Sequence, residues 1–350
     1  MTRRAAGAGD VLGWQMSPPH AERLRVLLAS ATGRAGEPDW YDLPALVRKR
    51  HPVGVAAVLG YGSWYTSGLR KPVSFPDVYL VVDDYRCVLA KATHRWWNRY
   101  LPPNVYFVWS EGPGRHVLRG KYNVISRADL ARECGPGMRD VYNAGRLTKR
   151  LWLAWSRDDA VHAEVLERLL EAHTVLTAAA LALLPERFML ERFSLELLAL
   201  SYRGEARLEG WERVRALHAA HAPYYREVHA LLIDAFAAAT GLVEPAGADE
   251  TRKVPDAAWA TLRRRTHRLL RRSRRRGYLR WPRIILTEPN LLDLAVNEAE
   301  RKAGVQIRVT PRLRRHPLLY GLPEFLRVLR ARRARERIGT TVSGPGAGDE

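Results

Sequence analysis

AVLGYGSWYTSGLRKPVSFPDVYLVVDD, residues 57–84, is the stretch whose reading decides the fold. Val58 and Leu59 read as the end of a buried strand. Gly60-Tyr61-Gly62-Ser63 then turns sharply, with two glycines that tolerate positive φ or close backbone approach. A segment with Gly68, Arg70, Lys71, Pro72 and Pro76 leads to Asp77-Val-Tyr79-Leu-Val-Val-Asp83-Asp84. That apolar, β-branched run between acids predicts a strand buried on both faces. The pattern suits a phosphate-handling site. Backbone N–H groups and the Ser63 hydroxyl can donate to the oxygens of a triphosphate. Mg²⁺ is a hard ion that takes one or two carboxylates together with phosphate oxygens, and Asp77 on a rigid strand would fix its place.

Strand, Gly-Ser turn, intervening segment and strand-opening acid together are similar to the layout of polymerase-β-type nucleotidyltransferases. Such enzymes usually carry a second acid two residues after the first, on the same strand face. Here that position is Tyr79. Asp83 shares the parity of Asp77, but six residues of strand put it roughly 20 Å away. It is therefore the weaker metal candidate, and Asp83 and Asp84 read equally well as the cap of the strand and the start of a helix.

Outward from this unit, residues 19–32 read as a helix, 33–39 as a linker, and Trp40 to His51 as a second helix with Asp42 as N-cap. Beyond it, 86–101 reads as a helix with Trp97 and Leu101 on one face. Trp96, Trp97 and Tyr100 are assigned to the core rather than to a base-stacking platform. Strands are expected at 104–110 and 117–125, the latter placing Lys121 at an edge or mouth. A helix over 127–133 stops at Gly135-Pro136-Gly137, and a Gly145-Arg146-x-x-Lys149 element lies between a short helix and a strand. Residues 40–155 thus predict an α/β (α+β) domain with a mixed sheet.

From 158 the texture becomes helical and Leu/Ala-rich. Helices are expected at 158–184, 190–201, 210–221 and 223–239, with a linker at 241–250. Residues 156–250 would form a mostly helical second domain. A basic region follows over 251–338: an Arg-rich helix at 258–276, a short strand at 282–286, a helix at 289–303, a strand at 306–310 and a last Arg-rich helix at 323–338. The Gly/Ser/Pro tail from 339 reads as disordered.

The chain has 350 residues, with 57 Lys and Arg against 37 Asp and Glu, a net charge of +20. Such a chain seeks polyanions: nucleic acid, an anionic membrane or phosphorylated substrates. Cys87 and Cys134, the only two cysteines, make neither a zinc site nor a disulfide framework. The longest apolar run, 175–184, is too short to span a bilayer and ends at Pro185. No signal-peptide core is read near Met1.

Several segments in order sharpen the reading. Beside Gly60-Tyr61-Gly62-Ser63 and the Asp77–Asp84 strand stand Asn104-Val-Tyr-Phe107, Lys121-Tyr-Asn-Val-Ile-Ser126, Tyr142-Asn-Ala-Gly-Arg-Leu147 with Lys149, Leu184-Pro-Glu186 and Leu200-Ser-Tyr-Arg-Gly-Glu205. Over roughly residues 52–210 the chain resembles the mitochondrial-type phosphatidate cytidylyltransferases and their bacterial relatives. Family members carry a Trp-His pair after the Asp-Asp; here the positions are Val88-Leu89, which puts any role of that His in doubt for this chain, with His94 nearby. The resemblance implies CTP and phosphatidate as substrates, CDP-diacylglycerol and pyrophosphate as products, and Mg²⁺ as cofactor. It implies Tyr61, Gly62 and Ser63 at the triphosphate, Asp77 at the metal, and Lys121, Arg146 and Lys149 at phosphates. It also suggests a winged-helix-like second domain. Tyr202 and Glu205 are assigned to a structural corner. Localisation would be peripheral, on the inner face of a bacterial membrane or the matrix side in a eukaryote, with no specific nucleic acid as partner.

Residues 323–332 interleave Phe325, Leu326, Val328 and Leu329 with Arg327, Arg330 and Arg332, the make-up of a helix lying in an anionic membrane interface. Packing of the same apolar residues into the protein predicts the same pattern. Two other functions remain open at this level. One is nucleotidyl transfer to RNA or a small phosphorylated molecule; the other is a non-catalytic polyanion-binding relative.

Overall fold

The computed structural model describes residues 13–32, 42–62, 76–112, 115–205 and 211–287, then positions 292, 296, 300, 306–315, 320, 321, 323, 324, 326–328 and 330; within 109–119 and over 281–287 it describes backbone alone. Ser63 and the expected tail from 339 lie outside the described residues. The chain divides into two compact units, Met1–Tyr278 and Leu279–Glu350.

The first unit is mixed α/β. Its elements begin with α1 (Pro18–Thr32), α2 (Asp42–Arg50), β1 (Val55–Tyr61), β2 (Asp77–Val82), α3 (Ala92–Tyr100), β3 (Asn104–Gly112), β4 (Arg115–Ser126), α4 (Arg127–Cys134), α5 (Ala144–Leu147) and β5 (Trp152–Ser156). The strands form one sheet in the order β3-β4-β2-β1-β5. β2 and β4 run parallel, and the other pairs are antiparallel.

Alternation explains why the β2 run is apolar throughout. Val78, Leu80 and Val82 point to one face, with Tyr122 and Val124 of β4, and pack against Leu43 and Val47 of α2. Tyr79 and Val81 point to the other, with Leu59 and Ile125, and join the core built on the later helices. Residues 78–82 are buried, as expected of a strand covered on both sides.

Those later elements are α6 (Asp159–Leu183), β6 (Arg187–Met189), α7 (Leu190–Arg203), α8 (Trp211–Ala219), α9 (Ala222–Thr240), β7 (Val243–Pro245), β8 (Glu250–Lys253) and α10 (Ala258–Thr287). Asp158 starts α6 by accepting from the Val161 N–H at 2.8 Å. The Ala- and Leu-rich half of α6 is almost wholly buried, packed by α1, α7 and α9. Among the described residues no helix is long and apolar enough to cross a membrane.

Several local expectations need correction. The helix expected from 86 begins at Ala92. Before it, Tyr85–Cys87 is a short 3₁₀ turn capped by Asp84, whose carboxylate accepts from the Arg86 N–H at 2.8 Å. Trp96, Trp97 and Tyr100 are 58%, 40% and 49% exposed rather than core. Asn98 is the buried residue of α3, so 96, 97 and 100 fall on the opposite side. The linker expected at 241–250 holds β7 and the first residue of β8, and the two pair in a three-stranded sheet with β6 in the order β6-β8-β7. The strand expected at 282–286 is helix, the continuation of α10.

In the second unit, residues 306–310 have no regular structure and lead into α11 (Pro311–Arg315), against the strand expected there. The described residues between 323 and 330 are helical. Of its described apolar residues, Val328 is buried and Leu326 is 44% exposed; Phe325 and Leu329 lie outside the described residues.

Candidate functional site

Register assembles the site. Asp77 pairs with Tyr61 on β1 and with Lys121 on β4. Residues level with one another across a sheet project to the same face, so Tyr61, Asp77 and Lys121 form one row at one end of three central strands. The next row on that face is Leu59, Tyr79 and Asn123. β4 is an interior strand, so Lys121 sits at the mouth and not at the edge. Its ammonium is 4.0 Å from Asp77 Oδ1, and each side chain is about a third exposed, at 33% and 29%. Gly62 follows Tyr61 with φ +86°, a left-handed conformation that favours glycine, and a Cβ there would lie 3.8 Å from Asp77 Oδ2. The Gly62 backbone therefore borders the acid directly.

Beneath the mouth lies a polar layer. The Tyr61 and Tyr79 rings are 4.8 Å apart. Tyr79 is fully buried, and its hydroxyl donates to Asn143 Oδ1 at 3.1 Å. Asn123 Nδ2 donates to the Tyr61 hydroxyl. Burial pushes the Tyr79 hydroxyl well above its ordinary pKa, against the opposing pull of Arg146. Burial and the neighbouring Asp77 carboxylate do the same for Tyr61. Both phenols are thus neutral hydrogen-bonding groups. Tyr79 stands where a second acid would be, and its hydroxyl is committed to Asn143.

Arg146 is deeper still. Gly145 lets α5 approach α7 closely: a Cβ there would meet the Ser201 Cβ at 2.6 Å. That contact brings Arg146 to Glu205 in a bidentate pair, Nη1–Oε1 2.6 Å and Nη2–Oε2 3.0 Å, with the guanidinium 3.5 Å from the centre of the Tyr142 ring. Burial is the largest influence and opposes the charge, but Glu205, with Tyr142, Tyr79 and Tyr61 acting in the same direction, together outweigh it and hold the guanidinium well above its ordinary pKa. Lys149 is buried, with its ammonium 4.5 Å from the centre of the Tyr202 ring. Glu205 and Tyr202, assigned from sequence to a corner, are the groups that seat Arg146 and Lys149.

Asp83 is not at this mouth. It follows the opposite end of β2, where it accepts from Arg157 at 2.6 Å and from Arg127 at 3.2 Å. The Arg157 hydrogen bond, with Arg127 beside it, holds its carboxyl below the usual carboxylate range. A metal shared by Asp77 and Asp83 is excluded by this separation.

Among the described residues no cluster of three His, Cys, Asp or Glu could hold a metal ion. At the mouth the described carboxylate that a hard cation such as Mg²⁺ could use is Asp77. Asn123 was legible, being two residues beyond Lys121 and hence on its face. Asn143 and Glu205 were not, because tertiary packing alone brings them beneath the row, to Tyr79 and to Arg146. The chain matches no protein-family model and no curated protein.

Proposed function

We propose that this chain is a Mg²⁺-dependent phosphatidate cytidylyltransferase with a polymerase-β-type nucleotidyltransferase domain. The observation that carries the reading is the single row Tyr61–Asp77–Lys121, with Gly62 against the acid, on rigid and buried strands. The β7–β8 hairpin beside α7 to α9 supports the winged-helix-like character of the helical part.

Transfer would proceed by attack of a phosphatidate phosphate oxygen on the α-phosphorus of CTP. A P–O bond forms there, and the α–β bridging bond breaks, its electron pair leaving with pyrophosphate. A phosphate monoester is largely ionised at neutral pH, so no general base is needed and catalysis reduces to positioning and charge neutralisation. Magnesium, when bound by Asp77 and the triphosphate, supplies neutralisation at the phosphates. Lys121 meets phosphate oxygens at the mouth, and the Gly62 backbone admits close approach of the triphosphate. Arg146 and Lys149 lie beneath the mouth, and the field of Arg146 reaches Tyr61 in the row and Tyr79 below it. The exposed aromatic face of α3, with Lys91 and Arg99 beside it, suits contact with an anionic lipid surface.

The test is incubation of the full chain with labelled CTP, Mg²⁺ and phosphatidate liposomes, with RNA as the control acceptor. Label in the lipid fraction with stoichiometric pyrophosphate is the expected result. Label on RNA instead would move the reading to another acceptor. Label on neither would make the chain a non-catalytic relative.

A further inference from the structure

Lys253 ends β8 as a buried cation, 8% exposed. Its ammonium donates to the Leu184 carbonyl at 2.6 Å and lies 4.5 Å from the centre of the Trp259 ring. Both neighbours are uncharged, and among the described residues no carboxylate pairs with it. Buried charges are ordinarily paired, because desolvation costs several kcal/mol that a carbonyl and a ring only partly offset. Burial, with the Arg263 guanidinium nearby, pushes its pKa down to about 8. At neutral pH most molecules still carry the charge.

That ammonium faces a cleft of about 530 Å³ between the end of α6, β8 and the first turns of α10. Its lining also includes the basic Arg263, Arg264 and His267 and the apolar Leu184 and Trp259. Arg263, Arg264 and His267 are exposed. Asp256 is the acid of the lining, and its carboxylate accepts from the Ala258 N–H at 2.6 Å, which caps α10. The basic residues continue past the cleft: Arg264, His267, Arg268 and Arg271 line an adjoining groove at helical spacing.

We propose that this cleft binds a phosphate group, carried by a soluble phosphate ester or by a lipid headgroup. Lys253, Arg263, Arg264 and His267 surround the place of its oxygens, and Trp259 and Leu184 line the side on which the organic part lies. A phosphate monoester offers three terminal oxygens and up to two negative charges, which matches several converging donors better than a lone carboxylate does. The volume lies within the range of small-ligand sites, about 300–1,000 Å³. The inference is independent of the reading of the Asp77 end, with which the cleft shares no residue.

The experiment is calorimetric titration of the full chain with inorganic phosphate, and in parallel co-sedimentation with phosphatidylcholine vesicles with and without phosphatidate. Three variants accompany the wild type. Lys253→Met keeps the stem and removes the charge, Arg263→Gln/Arg264→Gln removes two exposed cations, and Arg213→Gln/Arg215→Gln removes two charges elsewhere. Thermal unfolding shows that each is folded; Lys253→Met should melt no lower than the wild type, because an uncompensated buried charge has gone. Saturable phosphate binding, weakened at least about tenfold by the first two variants and not by the third, supports the site with a soluble ligand. Phosphatidate-dependent vesicle binding with the same pattern, without phosphate binding, supports it with a lipid headgroup. Equal binding by all four proteins, or no binding to either probe, overturns it.

Discussion

The two ends of β2 carry the same acid in opposite circumstances. At the far end Asp83 is held by Arg127 and Arg157, and Asp84 by Arg99 and the Arg86 N–H. At the near end, among the described residues, Asp77 pairs with Lys121 alone, at the limiting distance of 4.0 Å. Arg146 lies instead below the row, locked to Glu205. A stability device saturates its charges with close forks; a site for an anionic substrate and its cation holds them apart and lets the ligand complete the set. The comparison teaches that the charge pattern of the strand is symmetric while its energetics are not.

The largest test of that difference is Asp77→Asn, which keeps shape and removes the charge. Turnover in the CTP assay should fall at least about 100-fold, or roughly 2.7 kcal/mol of barrier. Thermal stability should change little, because Lys121 is a third exposed and can hydrate. Near-normal Mg²⁺-dependent turnover would erase the distinction between the two ends. Lys121→Ala should follow in the same direction, with the loss most visible at low CTP.

Glu205→Gln comes next and probes the layer beneath. It leaves Arg146 buried with an uncompensated charge, against a side chain only 12% exposed. Breaking a buried pair from one side costs about 3–5 kcal/mol. Denaturant unfolding should show that loss, whereas Glu205→Gln with unchanged stability would mean that the Arg146 charge is solvated and free to meet substrate.

How much of this was legible follows from which forces were local. The doubly buried β2 was readable because strand period and burial are written in neighbouring residues, and the same period could have put Asn123 on the face of Lys121. The exposure of Trp96, Trp97 and Tyr100 was not, because it depends on the single choice that buries Asn98. The β7–β8 hairpin hid in a Gly/Pro/Asp-rich stretch, since strands of three and four residues carry almost no periodic signal. Glu205 against Arg146 is a contact across 59 residues, set by Gly145 packing on Ser201.

Acid separates the core from both ends. Burial lowers the pKa of His173 to about 4, its hydrogen bond with the Leu169 carbonyl opposing only partly. The unfolded chain takes up that proton near pH 6.5 and the folded chain does not, so stability falls as pH drops from about 6.5 toward 4. His221, lowered to about 4 by burial and then by Arg150, adds in the same direction. His173 alone contributes on the order of 3 kcal/mol across that window. His173→Gln should flatten the slope of stability against pH. An unchanged slope would place the acid sensitivity in the other histidines with lowered pKa, His221 and His229, instead.

Asp83→Asn should have the smallest effect, and it tests the far end directly. Its folded pKa is depressed, so its contribution is present above the unfolded value near 3.9 and is lost as pH falls through the lower folded value. The carboxylate is 35% exposed and both arginines are about 40% exposed, which screens the pairs. Exposed pairs of this kind contribute about 0–1 kcal/mol. Asp83→Asn should therefore lower stability at pH 7 by at most about 1 kcal/mol, leave turnover unchanged, and bring no new loss between pH 6.5 and 4. Raising the salt should shrink even that difference, because the pairs lie at the surface. Turnover that falls with Asp83→Asn while the fold stays intact would show that the two ends of β2 act on one substrate, and the contrast between them would fail.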